Sequence, residues 1–474
     1  MISIICKREM SVYHAYHMVQ AFFPSAKLQC RVEEEASHYV GVWADGKEIL
    51  LLSEDIRTGE SDREYKQRME RKLYDALSDY KGKKLAWGKL SGVRPTKLAM
   101  KKMEEGMEKE EFLRWFYETH RVGEEKGRLA WEISEREAKI LEKLDTQKGY
   151  SLYVGIPFCP TVCSYCSFGS GTWETWESRS DAYLDALCRE LEFLGRACKE
   201  KRLNTIYIGG GTPTALHARQ LKRLLEVIDR QFSQEFLLEY TVEAGRPDSI
   251  TGEKLKLLKE HPVTRISINP QTMQQRTLDL VGRRHTVRQV EEAFLQAREE
   301  GFDNINMDLI LGLPGEEPKD VTDTMRQVER LGPDSLTVHA LAIKRAAKLS
   351  VQDFGAGEEA FARKMEEMTR ISAEAARSMG LHPYYLYRQK NIAGNFENVG
   401  YAKVDKAGIY NILIMEEKQS IVAAGAGAST KILLKEAVEQ KGKMTNLIRI
   451  ENSKAIDVYM DRVEEMLARK EEWL

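Results

Sequence analysis

From residue 150 onward the chain alternates apolar runs with helix-period segments, and this rhythm restricts its fold more than any other feature. Strand candidates begin near Leu152, Thr205, Phe236, Arg265, Asn304 and Ser335, and each is followed by a helical segment. Such units predict parallel strands wrapped by helices, hence an α/β partial barrel of the (β/α)6 kind. Polar motifs fall just after these strands, at the face where parallel α/β folds bind ligands. Tyr153 and a loop rich in cysteine follow the first strand, and Gly209-Gly210-Gly211-Thr212-Pro213 follows the second. Glu243 ends the third strand, Gln271 follows the fourth with Arg283 beyond it, and Asp308 lies in the fifth.

The flanks of the barrel read differently. Residues 1–85 predict a small N-terminal α+β domain: a strand at Ile2–Cys6, a helix around Val12–Phe23, a strand around Lys27–Glu33, a hairpin over Tyr39–Leu52 turning at Asp45-Gly46, and a charged helix from Asp62 to Tyr80. Residues 86–147 read as a helical linker, opened by a loop from Trp87 to Lys97 that is expected to be a solvated connector. The barrel is assigned to 148–380. Residues 381–474 predict a C-terminal α+β extension closing over the barrel mouth, with strands at Tyr384–Arg388, Ile409–Met415 and Ile421–Ala424, a glycine turn at Gly425–Ser429, and a terminal helix past Ser453.

A formal charge of −2 gives no basic face for general nucleic-acid binding. No apolar run is long enough to cross a bilayer, and the N-terminus lacks the pattern of a signal peptide. Seven cysteines, three of them clustered, point to a reducing cytoplasm and not to a disulfide scaffold. Cys188 and Cys198 lie on the helical stripe Leu184, Leu187, Leu191, Leu194, while Cys6 and Cys30 sit in short strands; all four read as core.

The clustered three are Cys159, Cys163 and Cys166, a Cys-x3-Cys-x2-Cys loop with no fourth ligand nearby. A closed zinc site wants four protein ligands, and an electron-transfer iron–sulfur cluster usually takes four cysteines. Three thiolates around a four-iron cluster leave one iron open to a substrate or cofactor. The loop resembles the signature of the radical S-adenosylmethionine (radical SAM) enzymes, which implies a [4Fe–4S] cluster on these cysteines and S-adenosylmethionine chelated to the open iron. The triple glycine lets backbone approach a ligand closely. Arg283 suits a carboxylate, Asp308 and Gln271 suit ribose hydroxyls, and Glu243 suits an amino group or hydroxyl.

Tyr153-Val154-Gly155-Ile156-Pro157-Phe158-Cys159, the glycine motif, the Gln271–Arg283 spacing and Asp308-Leu309-Ile310-Leu311-Gly312-Leu313-Pro314 together resemble the oxygen-independent coproporphyrinogen III oxidases over residues 150–430. Gly92-Val93-Arg94-Pro95-Thr96 and Asn395-Phe396-Glu397-Asn398-Val399-Gly400-Tyr401 bring it nearest to the HemZ branch. The resemblance implies cofactor contacts at Tyr153, Tyr165, Gly210, Gly211, Thr212, Glu243, Gln271, Arg283, Asp308 and Ala342. One S-adenosylmethionine is implied, or two, since some members hold a second. The implied reaction is oxidative decarboxylation of two propionates of coproporphyrinogen III to vinyls, giving protoporphyrinogen IX, fed by an electron donor such as flavodoxin or ferredoxin. Lys344, Arg345, Arg388 and Lys390 are candidate partners for the substrate carboxylates. Two departures stand out: Phe168 occupies the place of an additional cysteine in one oxidase branch, and the His-Asn-x-x-Tyr-Trp motif of the haem-chaperone branch is missing from the region of Arg388–Asn395. The alternatives are a haem-binding chaperone, with His339 or His285 as axial ligand, and a radical SAM enzyme acting on another substrate.

Overall fold

The computed structural model describes residues 1–474 except 25, 54, 91, 93, 147, 342–357, 389–395 and 441. Near the N-terminus, strands β1 (Ile2–Cys6), β2 (Leu28–Val32), β3 (Val40–Ala44) and β4 (Lys47–Leu52) form a sheet in the order β2-β1-β3-β4. Asp45 and Gly46 turn the β3–β4 hairpin with φ of 47° and 81°, both left-handed, as a two-residue turn between twisted strands requires. The helices Glu9–Phe22 and Asp62–Lys81 pack on this sheet. The second starts in a Ser61/Glu64 capping box and ends at Gly82, with φ 60°. Ile4, Val19, Val42, Met69 and Leu77 form a core separate from the rest of the molecule.

The next strands are β5 (Gly149–Ile156), β6 (Phe158–Cys159), β7 (Gly171–Thr172), β8 (Arg202–Gly210), β9 (Glu239–Gly245), β10 (Arg265–Ile268), β11 (Ile305–Leu311) and β12 (Ser335–Ala340). β5, β8, β9, β10, β11 and β12 lie side by side, all parallel. Strand side chains alternate between faces, so one face of β8–β11 carries Ile206, Ile208, Val242, Ile266 and Met307 into the apolar core. The other face carries Tyr207, Glu243, Arg265, Asn306 and Asp308 into the barrel. The crossover helix Ser180–Ala197 buries Leu184, Leu187, Leu191 and Leu194, together with Cys188.

The C-terminal strands β13 (His382–Arg388), β14 (Glu397–Ala402), β15 (Ser420–Ala424), β16 (Ser429–Gln440) and β17 (Lys443–Glu451) continue the barrel's own sheet at both edges. β14 joins β12 antiparallel, and β15 joins β5 parallel. The long β16–β17 hairpin has no counterpart in the sequence reading.

Two further expectations are corrected. Ile409–Glu416 is a helix, not a strand. Its run of apolar residues fits either state, because all-round burial erases periodicity. Glu239, from the start of β9, decides the matter by accepting from the first helical N–H groups, those of Ile409 and Tyr410. The loop opened by Trp87 is not a solvated connector. Trp87 is fully buried and its Nε1 donates to Glu397 at 2.7 Å. Lys89 pairs with Glu70 at 3.2 Å and Arg94 with Glu417 at 2.8 Å. Phe112, Phe116 and Trp131 of the following helices share one apolar cluster with Leu152 and Ile206 of the barrel. Among the described residues, no helix is long and apolar enough to cross a membrane.

Candidate functional site

The barrel encloses a cavity of about 460 Å³. Its wall contains Cys159, Cys163, Cys166, Tyr153, Tyr165, Gly210, Gly211, Thr212, Glu243, Gln271, Arg283 and Asp308. Thus every cluster and cofactor residue expected from the sequence lines one space, apart from Ala342, which lies outside the described residues.

The cysteine loop is fixed by its backbone. Phe158 and Cys159 pair with Gly171 and Thr172 in a short parallel ladder. Further on, Ser164 N–H donates to Val281 O at 3.0 Å and Thr161 Oγ1 to Gly282 O at 3.0 Å, tying the loop to the segment that carries Arg283. None of the three is in a disulfide. Thr212 Oγ1 donates to Cys159 Sγ at 3.4 Å, while Arg246 and Arg283 bring Nη1 within 3.7 and 3.9 Å of Cys163 Sγ. Cations and hydroxyl donors aimed at sulfur favour thiolates, the form that binds metal. Burial holds the Cys159 thiol above its ordinary value, with the Thr212 bond acting the other way. Among the described residues, no three His, Cys, Asp or Glu side chains gather at one point as a single-ion site would require. Cys159, Cys163 and Cys166 all line the cavity, as a cluster held by three thiolates requires.

The glycine motif is pressed against that loop. Gly211 N–H donates to Ile156 O and Thr212 N–H to Phe158 O, each at 2.7 Å. A Cβ on Gly211 would lie 2.6 Å from Phe158 O and 2.8 Å from Ile156 O, both backbone atoms that cannot step aside. Gly210 has φ 101°, which side-chain-bearing residues rarely adopt.

Opposite stands a polar wall. Arg283 is 4% exposed, donates to Asn269 O at 2.6 Å and Tyr165 Oη at 3.0 Å, and leaves Nε without a partner. Gln271 holds a left-handed φ of 69°, fixed by Gln271 N–H to Asp308 O and Ile310 N–H to Gln271 O, each at 2.9 Å. Its buried Oε1 has no partner. Burial alone would raise Asp308, but His339, Asn306 and Thr337 hold its carboxyl below the ordinary value. Burial drives Glu243 up to about 7, against a hydrogen bond from Tyr207 Oη and with the help of the Asp308 charge. Orphaned donors and acceptors on a cavity wall are rare in folded proteins and suit a ligand that completes them.

Several wall residues escaped the sequence reading. Tyr153, Tyr207 and Tyr410 stack, with Tyr207 and Tyr410 4.5 Å apart at 22°. Tyr207 was reachable by counting back two residues from Gly209 along β8, while Arg265 stands at the start of β10, six residues before Gln271. Tyr410 gave no such signal, because it enters from the helix misread as a strand.

Other expectations fail or fall outside. Arg388 does not line the cavity: it is 3% exposed, donates to Leu90 O at 2.9 Å and Gly92 O at 3.3 Å, and stacks over Trp87. Lys344, Arg345 and Lys390 lie outside the described residues. His285 is fully buried away from the cavity wall, and burial beside Arg283 and Arg246 lowers it to about 3. His339 does line the cavity, with Nε2 3.8 Å from Asp308 and Nδ1 3.3 Å from Tyr387 Oη. Cys188 and Cys198 are buried at one crossover helix, and Cys6 and Cys30 lie in β1 and β2.

Residues 153–328 match the model of the Radical SAM superfamily. The chain is 39% identical over 431 residues to the oxygen-independent coproporphyrinogen-III oxidase-like protein HemZ of Bacillus subtilis, covering 90% of this chain and 84% of that one. It is 38% identical over 195 residues to the heme chaperone HemW of Bacillus subtilis, covering 41% of this chain and 51% of that one. In fold it is similar to the coproporphyrinogen III oxidase HemN of Escherichia coli, with a TM-score of 0.54 and 21% identity over 70% of this chain and 73% of that one. The likeness to HemZ extends over nine tenths of the sequence, and the matched barrel carries the thiols, the glycine cradle and the polar wall. The chain belongs to the HemZ-type, oxygen-independent coproporphyrinogen III oxidase-like family of the radical SAM superfamily, oxidoreductases that work with a [4Fe–4S] cluster and S-adenosylmethionine.

Proposed function

We propose that this protein is an oxygen-independent coproporphyrinogen III dehydrogenase, producing protoporphyrinogen IX in haem biosynthesis. The observation that carries this reading is one cavity joining three cysteines outside any disulfide to a wall of unfilled polar groups, in a chain whose likeness to an oxidase-like relative spans both ends of that cavity. Cys159, Cys163 and Cys166 would hold the cluster. Tyr153, Tyr165, Gly210, Gly211, Thr212, Glu243, Gln271, Arg283 and Asp308 would hold one S-adenosylmethionine, or share two. When bound, these groups supply an electron and a hydrogen-abstracting radical. Arg283 has an unpartnered Nε for a carboxylate, Gln271 Oε1 an open acceptor for a hydroxyl, and Asp308 a carboxylate kept ionised for ribose. The stacked tyrosines line the interior with aromatic surface. Each turnover would remove one hydrogen atom from a propionate β-carbon and release CO2 and one electron to an acceptor, leaving a vinyl group. The reductant we propose is a flavodoxin or ferredoxin, in the cytoplasm.

The likeness to heme chaperones favours a second reading, haem trafficking. Against it, His285 lies off the cavity and His339 has Tyr387 at one ring nitrogen and Asp308 at the other. An anaerobic assay with coproporphyrinogen III, followed by mass analysis, tests the proposal. The expected result is loss of two CO2 through a monovinyl intermediate. Cleavage of S-adenosylmethionine without CO2 release, together with tight haem binding, would hand the protein to the trafficking reading.

A further inference from the structure

Among the described residues three arginines line the cavity, and two of them are occupied. Arg246 forms two bonds to the Asp248 carboxylate, at 2.9 and 2.7 Å. Arg283 is held by Asn269 and Tyr165 at the thiol end. Arg265 is different. It opens β10 at the opposite end of the barrel, is 1% exposed, and makes a single hydrogen bond among the described residues, from Nη2 to Ser335 Oγ at 3.1 Å. Its Nε has no partner.

The acids around it spend their hydrogen bonds elsewhere, although the charges of Glu239 and Asp308 reach Arg265 at longer range. Glu239 accepts from Ile409 N–H, Tyr410 N–H and Thr241 Oγ1. Glu243 is bound by Tyr207, and Asp308 by Asn306 at 2.7 Å with His339 beside it. Among the described residues no carboxylate comes within ion-pair distance of Arg265. A guanidinium stays charged even when buried; Glu239 and Asp308 favour that charge at longer range, and the open Nε leaves a directed donor for a further anion. The surrounding wall supplies aromatic and neutral polar groups: Tyr207, Tyr410, Asn411 and Thr337.

We infer that Arg265 is a carboxylate-binding residue at the floor of the cavity, facing a ligand whose other end reaches the thiols. The inference rests on the proposed function, since a substrate with several propionates is the ligand it deepens. Asn269, where Arg283 is anchored, lies four residues further along the same segment, about 13 Å away at strand spacing. Cations therefore stand at both ends of the cavity: Arg283 with Arg246 beside the cluster loop, and Arg265 where a second, unreacting carboxylate would lodge. The carboxylate has two sources, a substrate propionate or the methionine end of S-adenosylmethionine, and the test separates them.

Arg265→Met and Arg265→Lys are compared with wild type as reconstituted holoenzymes. The probes are coproporphyrin III, by fluorescence quenching, S-adenosylmethionine, by equilibrium dialysis, and propionate alone, by shift of the thermal midpoint. Arg265→Met should weaken coproporphyrin III binding about tenfold or more, with cluster absorption and S-adenosylmethionine affinity unchanged. Arg265→Lys, which keeps the charge and loses the fork, should fall between, and it carries the comparison should Arg265→Met not fold. A loss of S-adenosylmethionine affinity in place of porphyrin affinity assigns the carboxylate to the cofactor. Unchanged binding of both ligands in a folded variant overturns the inference while leaving the proposed function standing. If wild type binds no coproporphyrin III, the proposed function falls. Propionate must then raise the midpoint of wild type and not of Arg265→Met, and without that difference Arg265 is not a carboxylate site.

Discussion

Two buried polar clusters in this chain are built on opposite terms. Behind β5, Glu190 and Lys470 form an ion pair with both side chains fully buried. Glu190 also accepts from Gly425 N–H at 2.8 Å, Tyr459 Oη at 2.6 Å and Asn452 Nδ2 at 2.9 Å, and Lys470 donates to Ala423 O at 2.6 Å. In this knot both charges are satisfied within the chain, although Asn452 Oδ1 stays open. In the cavity, Gln271 Oε1 and the Nε atoms of Arg265 and Arg283 are left open. The first arrangement holds a terminal helix against the barrel, and the second waits for a ligand. A third solution appears at Glu137 and Glu416, buried close to each other, where burial raises both carboxyls and favours their neutral forms.

The contrast can be broken most sharply at the thiols. Cys159→Ala, Cys163→Ala and Cys166→Ala should each abolish the four-iron cluster on anaerobic reconstitution, whereas Cys188→Ala and Cys198→Ala should keep it. Iron content and visible absorption give the answer, and tetrahedral zinc without iron uptake would contradict the assignment. Next in size is the knot. Lys470→Ala leaves Glu190 buried and uncompensated, so a loss of about 3–5 kcal/mol is expected in denaturant unfolding. A variant as stable as wild type would show that the internally paired cluster contributes nothing.

Smaller effects are expected on the cavity wall. Arg283→Lys and Asp308→Asn should each cost about 1.5–3 kcal/mol of S-adenosylmethionine binding with cluster absorption intact. Normal 5′-deoxyadenosine yield in both would remove them from the site. The smallest is a pH effect. Glu243 titrates near 7 when folded, above its ordinary value, so ionising it disfavours the folded state. Wild type and Glu243→Gln should have similar thermal midpoints in acid. The variant should gain on wild type as pH rises from the ordinary carboxylate range to about 7, and the gap should then level off. A gap that shrinks with rising pH would reverse the sign assigned to Glu243.

What could be read in advance was local. The cysteine spacing, the Gly209–Thr212 turn and the starts of six strands are patterns written within a few residues. Asp45-Gly46 announced its hairpin for the same reason. What escaped depends on partners distant in sequence. Ile409–Glu416 became a helix because Glu239, 170 residues earlier, caps it. Arg388 is drawn from the cavity toward Leu90 and Trp87, beyond the reach of any spacing rule. The insertion of Ser420–Ala424 beside β5 likewise has no signature in either segment alone.

That insertion bears on how the protein is made. β5 leads directly into the cysteine loop, and its two neighbours are β8 and β15. The first emerges from the ribosome soon after β5, and the second more than 260 residues later. Through most of synthesis, the strand that delivers the thiols has one naked edge, the kind of surface that recruits wrong partners. A stalled chain ending before residue 420 should therefore be more aggregation-prone than its length suggests, and cluster loading should be efficient only once the final strands have closed that edge.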